Sequence, residues 1–127
     1  MSDISEKISS RKKILVAEDR DELRELLRIT CELAGHDVYD AEDGVTALDI
    51  YQQCPLDLII TDFEMPHMDG MQLLENIRAR GNGVPVVLVS GNRLDRHEII
   101  SKGFVDYLQK PYSPWQIMDC IARYVKK

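Results

Sequence analysis

The chain has 127 residues, 44% of them hydrophobic and 30% charged, with a formal net charge of -6 at pH 7. One domain of ordinary size fits that length, and such a chain buries roughly two-thirds of its unfolded surface without disulfide or metal staples. The acidic balance argues against nucleic-acid binding through a basic surface, and the apolar runs are too short for a membrane span or a signal-peptide core.

Residues 1–12 are polar and mixed in charge, which reads as a flexible lead-in to a domain over 13–127. Ile14-Leu15-Val16-Ala17 is a continuous apolar run, as expected of a strand buried on both faces, and it ends in Glu18-Asp19. Leu23, Leu26, Leu27, Thr30, Leu33 and Ala34 follow at helical spacing and predict the buried stripe of a first helix, with Gly35 as its left-handed cap. Val38 and Tyr39 centre a weaker second strand. After Asp43-Gly44 comes a helix with Ala47, Leu48 and Tyr51 inward, broken by Pro55. Leu58-Ile59-Ile60 predicts a third strand that ends at Asp62. Pro66 and Gly70 bracket a loop, and Leu73, Leu74 and Ile77 mark a third helix that Gly81 and Gly83 end. Val84 to Val89 predicts a fourth strand ending at Ser90, and a short helix lies around Ile99 and Ile100. Val105 to Leu108 is the fifth strand. Ser113-Pro114-Trp115-Gln116 combines a capping box with proline at the first helical position, and Ile117, Met118, Ile121 and Val125 form the stripe of the last helix.

Strand and helix thus alternate five times. The pattern predicts an α/β fold, a doubly wound five-stranded parallel sheet with helices on both faces. In such sheets ligands bind outside the carboxyl ends of the strands. The polar residues at those ends are Glu18, Asp19, Asp62, Ser90 and, just past the fifth strand, Lys110. Taken singly they have plainer explanations: acids at strand ends cap the next helix, a serine there is a turn, and a lysine before proline is a solvated loop residue. His36, His67 and His97 read as surface or helix-end groups, and Trp115 as a packing residue. Together, from four strands, the rim residues form a constellation. Converging carboxylates repel unless neutralised, and the usual remedy is a hard cation such as Mg2+ or Mn2+ held by oxygens. Lys110 offers a positive point charge and Ser90 a hydroxyl donor for phosphoryl oxygens, and a carboxylate can itself accept a phosphoryl group. The cysteines Cys31, Cys54 and Cys120 form no CxxC pair and read as reduced thiols of a cytoplasmic protein.

From about Lys12 onward the chain resembles the receiver domains of response regulators. The resemblance is carried by Ile14-Leu-Val-Ala-Glu-Asp19, Asp57-Leu-Ile-Ile-Thr-Asp62, Met65-Pro-His-Met-Asp-Gly70, Val87-Leu-Val-Ser90 and Tyr107-Leu-Gln-Lys-Pro111. It implies a CheY-like, flavodoxin-like sheet of order 2-1-3-4-5. It implies Asp62 as phosphoacceptor, with Asp19, Glu18, Asp62 and the Glu64 backbone carbonyl around the metal. Ser90 and Lys110 match the pair that grips the phosphoryl oxygens, and Tyr107 the aromatic that swings inward with the hydroxyl residue. The Lys110–Pro111 bond should be cis. Glu64 and Asn92 occupy positions that tune phosphoryl lifetime, with Glu64 expected to cover the phosphoryl group by reaching toward Lys110.

The sequence departs from the family at Glu18, where aspartate is usual, and at Ser90-Gly91, where threonine and alanine are commoner. The stretch from Ser90 to Lys110 is also short, which puts the length of the fourth helix in doubt. The Ser90-Gly91 and Leu108-Gln-Lys-Pro111 combination is similar to receivers attached to hybrid sensor kinases.

The resemblance implies a cytoplasmic phosphorelay receiver that catalyses only its own phosphorylation and dephosphorylation. Its partners would be a histidine kinase or histidine phosphotransfer domain and a downstream protein on the face of helix four, strand five and helix five. Direct nucleic-acid and membrane contacts are not expected, and the domain should be a monomer or a weak phosphorylation-dependent dimer. Two rivals differ in class. A small-phosphoester phosphatase using Asp62 would need a further acid or base that no motif supplies. A flavodoxin would need a Ser/Thr/Gly phosphate loop where Glu18-Asp-Arg-Asp21 is acidic.

Overall fold

The computed structural model describes residues 11–81 and 83–125, so most of the expected lead-in over 1–12 lies outside the described residues. Among the described residues five strands, β1 (Lys13–Ala17), β2 (Asp37–Ala41), β3 (Leu58–Asp62), β4 (Val86–Ser90) and β5 (Asp106–Gln109), alternate with five helices. The helices are α1 (Asp21–Leu33), α2 (Gly44–Gln53), α3 (Gly70–Ala79), α4 (Arg96–Ser101) and α5 (Pro114–Tyr124). The strands form one parallel sheet, as the residue pattern predicts, and their order β2-β1-β3-β4-β5 is the one the resemblance implies.

Side chains on a strand alternate between faces, and here both faces are buried. Leu15, Ala17, Ile59, Val86 and Leu88 pack with Ala47, Leu73, Leu74, Ile77 and Ile99 of α2, α3 and α4. Ile14, Val16, Leu58, Ile60, Val87 and Val89 pack on the other side with Leu27 and Cys31 of α1 and Ile117, Cys120 and Ile121 of α5. Each fully buried Val, Leu or Ile among these contributes about 1.5–3 kcal/mol. Cys31 and Cys120 are buried in this second layer, and burial pushes both thiols up to about 12, so they stay protonated.

Local signals place the ends. Gly35 has φ +96°, the left-handed conformation that glycine adopts without strain, directly after α1. Asp43 caps α2 by accepting from the Thr46 amide at 2.7 Å. Ser113 and Gln116 close a capping box on α5, and Asp69 and Gln72 close another on α3.

The structure corrects several details. In α1 the buried residues are Leu27, Thr30 and Cys31, while Leu26, Ile29 and Leu33 are 54%, 40% and 75% exposed. The helix is apolar around more than half its girth, so spacing alone could not choose the inward stripe; the Thr30 hydroxyl is buried because it donates to the Leu26 carbonyl at 2.9 Å. Trp115, expected to pack, is 76% exposed, since the second position of a capped helix faces outward here. Cys120 joins the inward stripe of α5, and Val125 lies just past the helix. β4 starts at Val86 rather than Val84, after Pro85, and β5 at Asp106 rather than Val105.

Candidate functional site

The chain runs from β1 outward to β2 and then returns to β3 on the other side of β1. The crevice at this reversal opens at the carboxyl ends of β1 and β3, where Glu18 and Asp62 emerge. Parallel register sets Asp62 beside Val89, so Ser90 stands one residue further along the same rim. The Lys110 amide donates to the Ser90 carbonyl at 2.8 Å, which brings the loop after β5 to the same edge. The Lys110–Pro111 bond is cis, as the resemblance implies. Beneath Asp62, Gly70 opens α3 with its amide donating to the Phe63 carbonyl at 2.8 Å. A Cβ on Gly70 would lie 2.4 Å from the Asp62 carbonyl oxygen, so only glycine permits this approach.

The Lys110 ammonium donates to Glu18 Oε1 at 2.7 Å and to Asp62 Oδ2 at 2.9 Å. Glu18 is fully buried and Asp62 is 6% exposed, whereas Asp19 is exposed. Oxygens of Glu18, Asp19 and Asp62 lie within 4.8 Å of one another. Burial pushes the Glu18 carboxyl above its ordinary range, and the Asp62 charge adds to this, although Lys110 and the Arg20 amide pull against it. Burial pulls the Lys110 ammonium down, but Glu18 and Asp62 outweigh it and hold the group above the usual lysine range. The rim therefore carries three acids against one lysine.

This donor set fits one hard cation. The three side chains offer carboxylate oxygens, their spacing suits a single small ion, and one lysine leaves the acids under-neutralised. Glu18 already accepts from Lys110 with one oxygen and from the Arg20 amide at 3.2 Å with the other. That leaves Asp19 and Asp62 the more available pair.

Around the mouth, the Asn92 amide side chain donates to Glu64 Oε1 at 3.0 Å, and the Asn92 backbone N–H donates to Ser90 Oγ at 3.1 Å. Glu64 thus reaches Asn92 and not Lys110, whose ammonium is engaged below. Tyr107 is buried, and its hydroxyl donates to the Asn92 carbonyl at 2.7 Å and accepts from the Leu94 amide at 3.1 Å. The aromatic ring is therefore tied to the loop that follows Ser90. α4, the helix whose length the short Ser90–Lys110 stretch put in doubt, has six residues.

Two polar groups escaped the sequence reading. Arg24 of α1 donates to the Glu18 backbone carbonyl at 2.9 Å and to Asp21 Oδ1 at 2.6 Å. Asp106, the first residue of β5, accepts from the Arg96 guanidinium, from the Tyr107 amide at 2.7 Å and from the Tyr124 hydroxyl at 2.9 Å. An acid between the apolar Val105 and Tyr107 was a usable signal, because a buried charge requires partners.

A family model for the response regulator receiver domain matches residues 14–122. The chain belongs to that family. This receiver domain is 38% identical over 114 residues to the response regulator protein FleR of Pseudomonas aeruginosa, covering 88% of the chain and 24% of FleR. It is 39% identical over 102 residues to the Regulator of RpoS of Escherichia coli K12, covering 79% and 30%. Among solved structures, a Francisella response regulator receiver domain superposes with TM-score 0.85 at 29% identity, over 90% of this chain and 96% of that one. The receiver domain of a Pseudomonas aeruginosa PAO1 sensor histidine kinase, described with magnesium coordinated in its active site cleft, gives 0.81 at 25% identity, over 91% and 98%. The chain spans 24% of FleR and 49% of a probable transcriptional regulatory protein of Picosynechococcus, so its match is to one part of such regulators. The flavodoxin reading gives way to this family, which serves signal transduction in two-component systems. No helix among the described residues is long and apolar enough to cross a membrane.

Proposed function

We propose that this receiver domain accepts a phosphoryl group on Asp62 from a phosphohistidine of a histidine kinase or phosphotransfer domain. The observation that carries the reading is Lys110 bridging Glu18 and Asp62, with Asp19 on the same rim. An Asp62 oxygen attacks phosphorus as the bond to the donor imidazole breaks, giving an aspartyl phosphate. Lys110 and the Ser90 hydroxyl then hold phosphoryl oxygens, and most of the catalysis is positioning and charge neutralisation. Asp19, Asp62 and the Glu64 carbonyl would hold Mg2+, with Glu18 acting through water; the ion supplies positive charge against the phosphoryl oxygens. The donor's approach is supported by an apolar landing beside the site, where Leu23, Leu26, Pro111 and Tyr112 line a cleft that also contains Lys110. Incubation with acetyl phosphate and Mg2+ tests the reading: the intact domain should gain the mass of one phosphoryl group, and no gain would refute it.

Output would follow from the tie between the site and the α4–β5–α5 face. Ser90 drawn toward a phosphoryl group pulls on Asn92, and Asn92 is bonded to Tyr107.

Mg2+ should raise the melting temperature of the unphosphorylated domain by mass action. Asp19→Ala should remove most of that rise. Glu18→Ala should remove only part, because its oxygens already serve Lys110 and the Arg20 amide. Equal Mg2+-dependent shifts in wild type and Asp19→Ala, by thermal denaturation, would exclude Asp19 as a ligand.

The Glu64–Asn92 bridge should lengthen phosphoryl lifetime by covering the mouth. Glu64→Ala and Asn92→Ala should each speed phosphate loss about 3- to 10-fold, equivalent to about 1 kcal/mol of barrier. The double variant should lose it no faster than the singles, since either change breaks the same bridge. Slower loss in Glu64→Ala would instead mark that carboxylate as a general base for water.

A further inference from the structure

Arg24 lies in the first turns of α1 with its side chain only 17% exposed, unusual for an arginine on a surface helix. It reaches back across the start of the helix to three acceptors, one in the connection between β1 and α1, one on α1 itself and one on β2. Its guanidinium donates to the Glu18 backbone carbonyl at 2.9 Å and to Asp21 Oδ1 at 2.6 Å, and its Nε lies 3.5 Å from Asp40 Oδ2 on β2. The Glu18 amide on the other side donates to the Ala41 carbonyl at 3.0 Å. The Glu18 carbonyl belongs to the same rigid plane as the Asp19 amide. Fixing that oxygen therefore fixes the peptide from which the Asp19 side chain departs.

We propose that Arg24 is a positioning residue for metal binding: by holding the Glu18–Asp19 peptide plane, it aims the Asp19 carboxylate into the acidic crevice. This deepens the receiver reading and rests on it. Arg24 contacts neither the cation nor the phosphoryl group in this scheme.

Charge and geometry make opposite predictions, which isolates the effect. Removing a cation from beside the crevice, and releasing Asp21 and Asp40 from it, makes the neighbourhood more negative and by Coulomb's law tightens Mg2+ binding. Losing the peptide clamp lets Asp19 wander and weakens binding. Groups that orient metal ligands commonly govern affinity by about 10- to 100-fold.

The test is Mg2+ affinity by calorimetric titration of the full chain at fixed pH and a temperature where every variant is folded. Arg24→Ala should bind Mg2+ about 10-fold more weakly than wild type. Arg24→Lys keeps the charge but lacks the planar fork, so it should recover only part of the loss, and it serves if the alanine variant does not fold. In an Asp19→Asn background, the further loss on removing Arg24 should shrink to within about 2-fold, because the residue through which it acts is gone. Unchanged or tighter Mg2+ binding in Arg24→Ala or Arg24→Lys, whatever the change in melting temperature, would overturn the proposal and leave the receiver reading standing. Wild type that binds no Mg2+ would overturn both.

Discussion

Asp62→Asn is expected to abolish phosphoryl uptake while leaving the fold intact. Asparagine has nearly the shape of aspartate, and its amide oxygen can still accept from Lys110, which donates to Asp62 Oδ2 at 2.9 Å. What the change removes is the anionic oxygen that attacks phosphorus, so the loss should be complete rather than partial. The substitution also takes one negative charge from a rim where the Asp62 charge helps push the Glu18 carboxyl upward. Stability should therefore hold or rise, and a urea midpoint at or above the wild-type value would separate lost chemistry from lost structure. After incubation with acetyl phosphate and Mg2+, wild type should gain one phosphoryl mass and the variant none. A variant that still gained that mass would move the acceptor elsewhere, and Ser90 or a histidine would have to be considered in its place.

How far the sequence reveals this site follows from the physics of each residue. Glu18, Asp62 and Ser90 stand at the carboxyl ends of largely apolar runs that are buried on both faces, and a polar residue at such a place is conspicuous. Lys110 was legible for the same reason, as the first cation after the last strand. The inward face of α1 was not, because Leu26 and Leu33 fit helical spacing as well as Leu27 and Cys31 do, and the neighbouring sheet decides between them. Arg24 was hidden because its key acceptor is a backbone carbonyl, which no side-chain pattern records. The partner of Glu64 was equally hidden. Lys110 is nearer in charge logic, but its ammonium is already shared by two buried acids, and Asn92 is the donor that the loop after β4 presents. Spacing thus reveals elements and strand ends, while three-body competition for one donor needs coordinates.

The second large effect is expected at Asp106, far from the phosphoryl chemistry. β5 is an edge strand, so the outward backbone groups of Tyr107 have no neighbouring strand to pair with. Asp106 supplies an acceptor to the Tyr107 amide, and Arg96 donates to the Tyr107 carbonyl at 2.9 Å, so the acid and the arginine together close the edge. The second Asp106 oxygen accepts from Tyr124 of α5 at 2.9 Å. Asp106→Ala leaves the Tyr107 amide and the Tyr124 hydroxyl without this acceptor and should cost about 2–4 kcal/mol, a large share of a small domain's stability. Most of that cost lies in the unpaired groups, because the Arg96 side chain is 57% exposed and stays hydrated. Tyr124→Phe should cost only about 1 kcal/mol, since it deletes the donor cleanly. The acid limb adds an independent check. Burial pushes the Asp106 carboxyl up, but Arg96, the Tyr107 amide and the Tyr124 hydroxyl together hold it below the usual aspartate range. A group whose folded value is depressed contributes stability that is fully present above its unfolded value of about 3.9 and is lost as pH falls through the folded value. Asp106→Asn cannot titrate, so its deficit against wild type should be constant from pH 7 to about 5 and should narrow as pH falls below about 4. Urea denaturation across that range measures it, and a deficit that stayed constant to pH 3 would mean that Asp106 holds its partners without being charged.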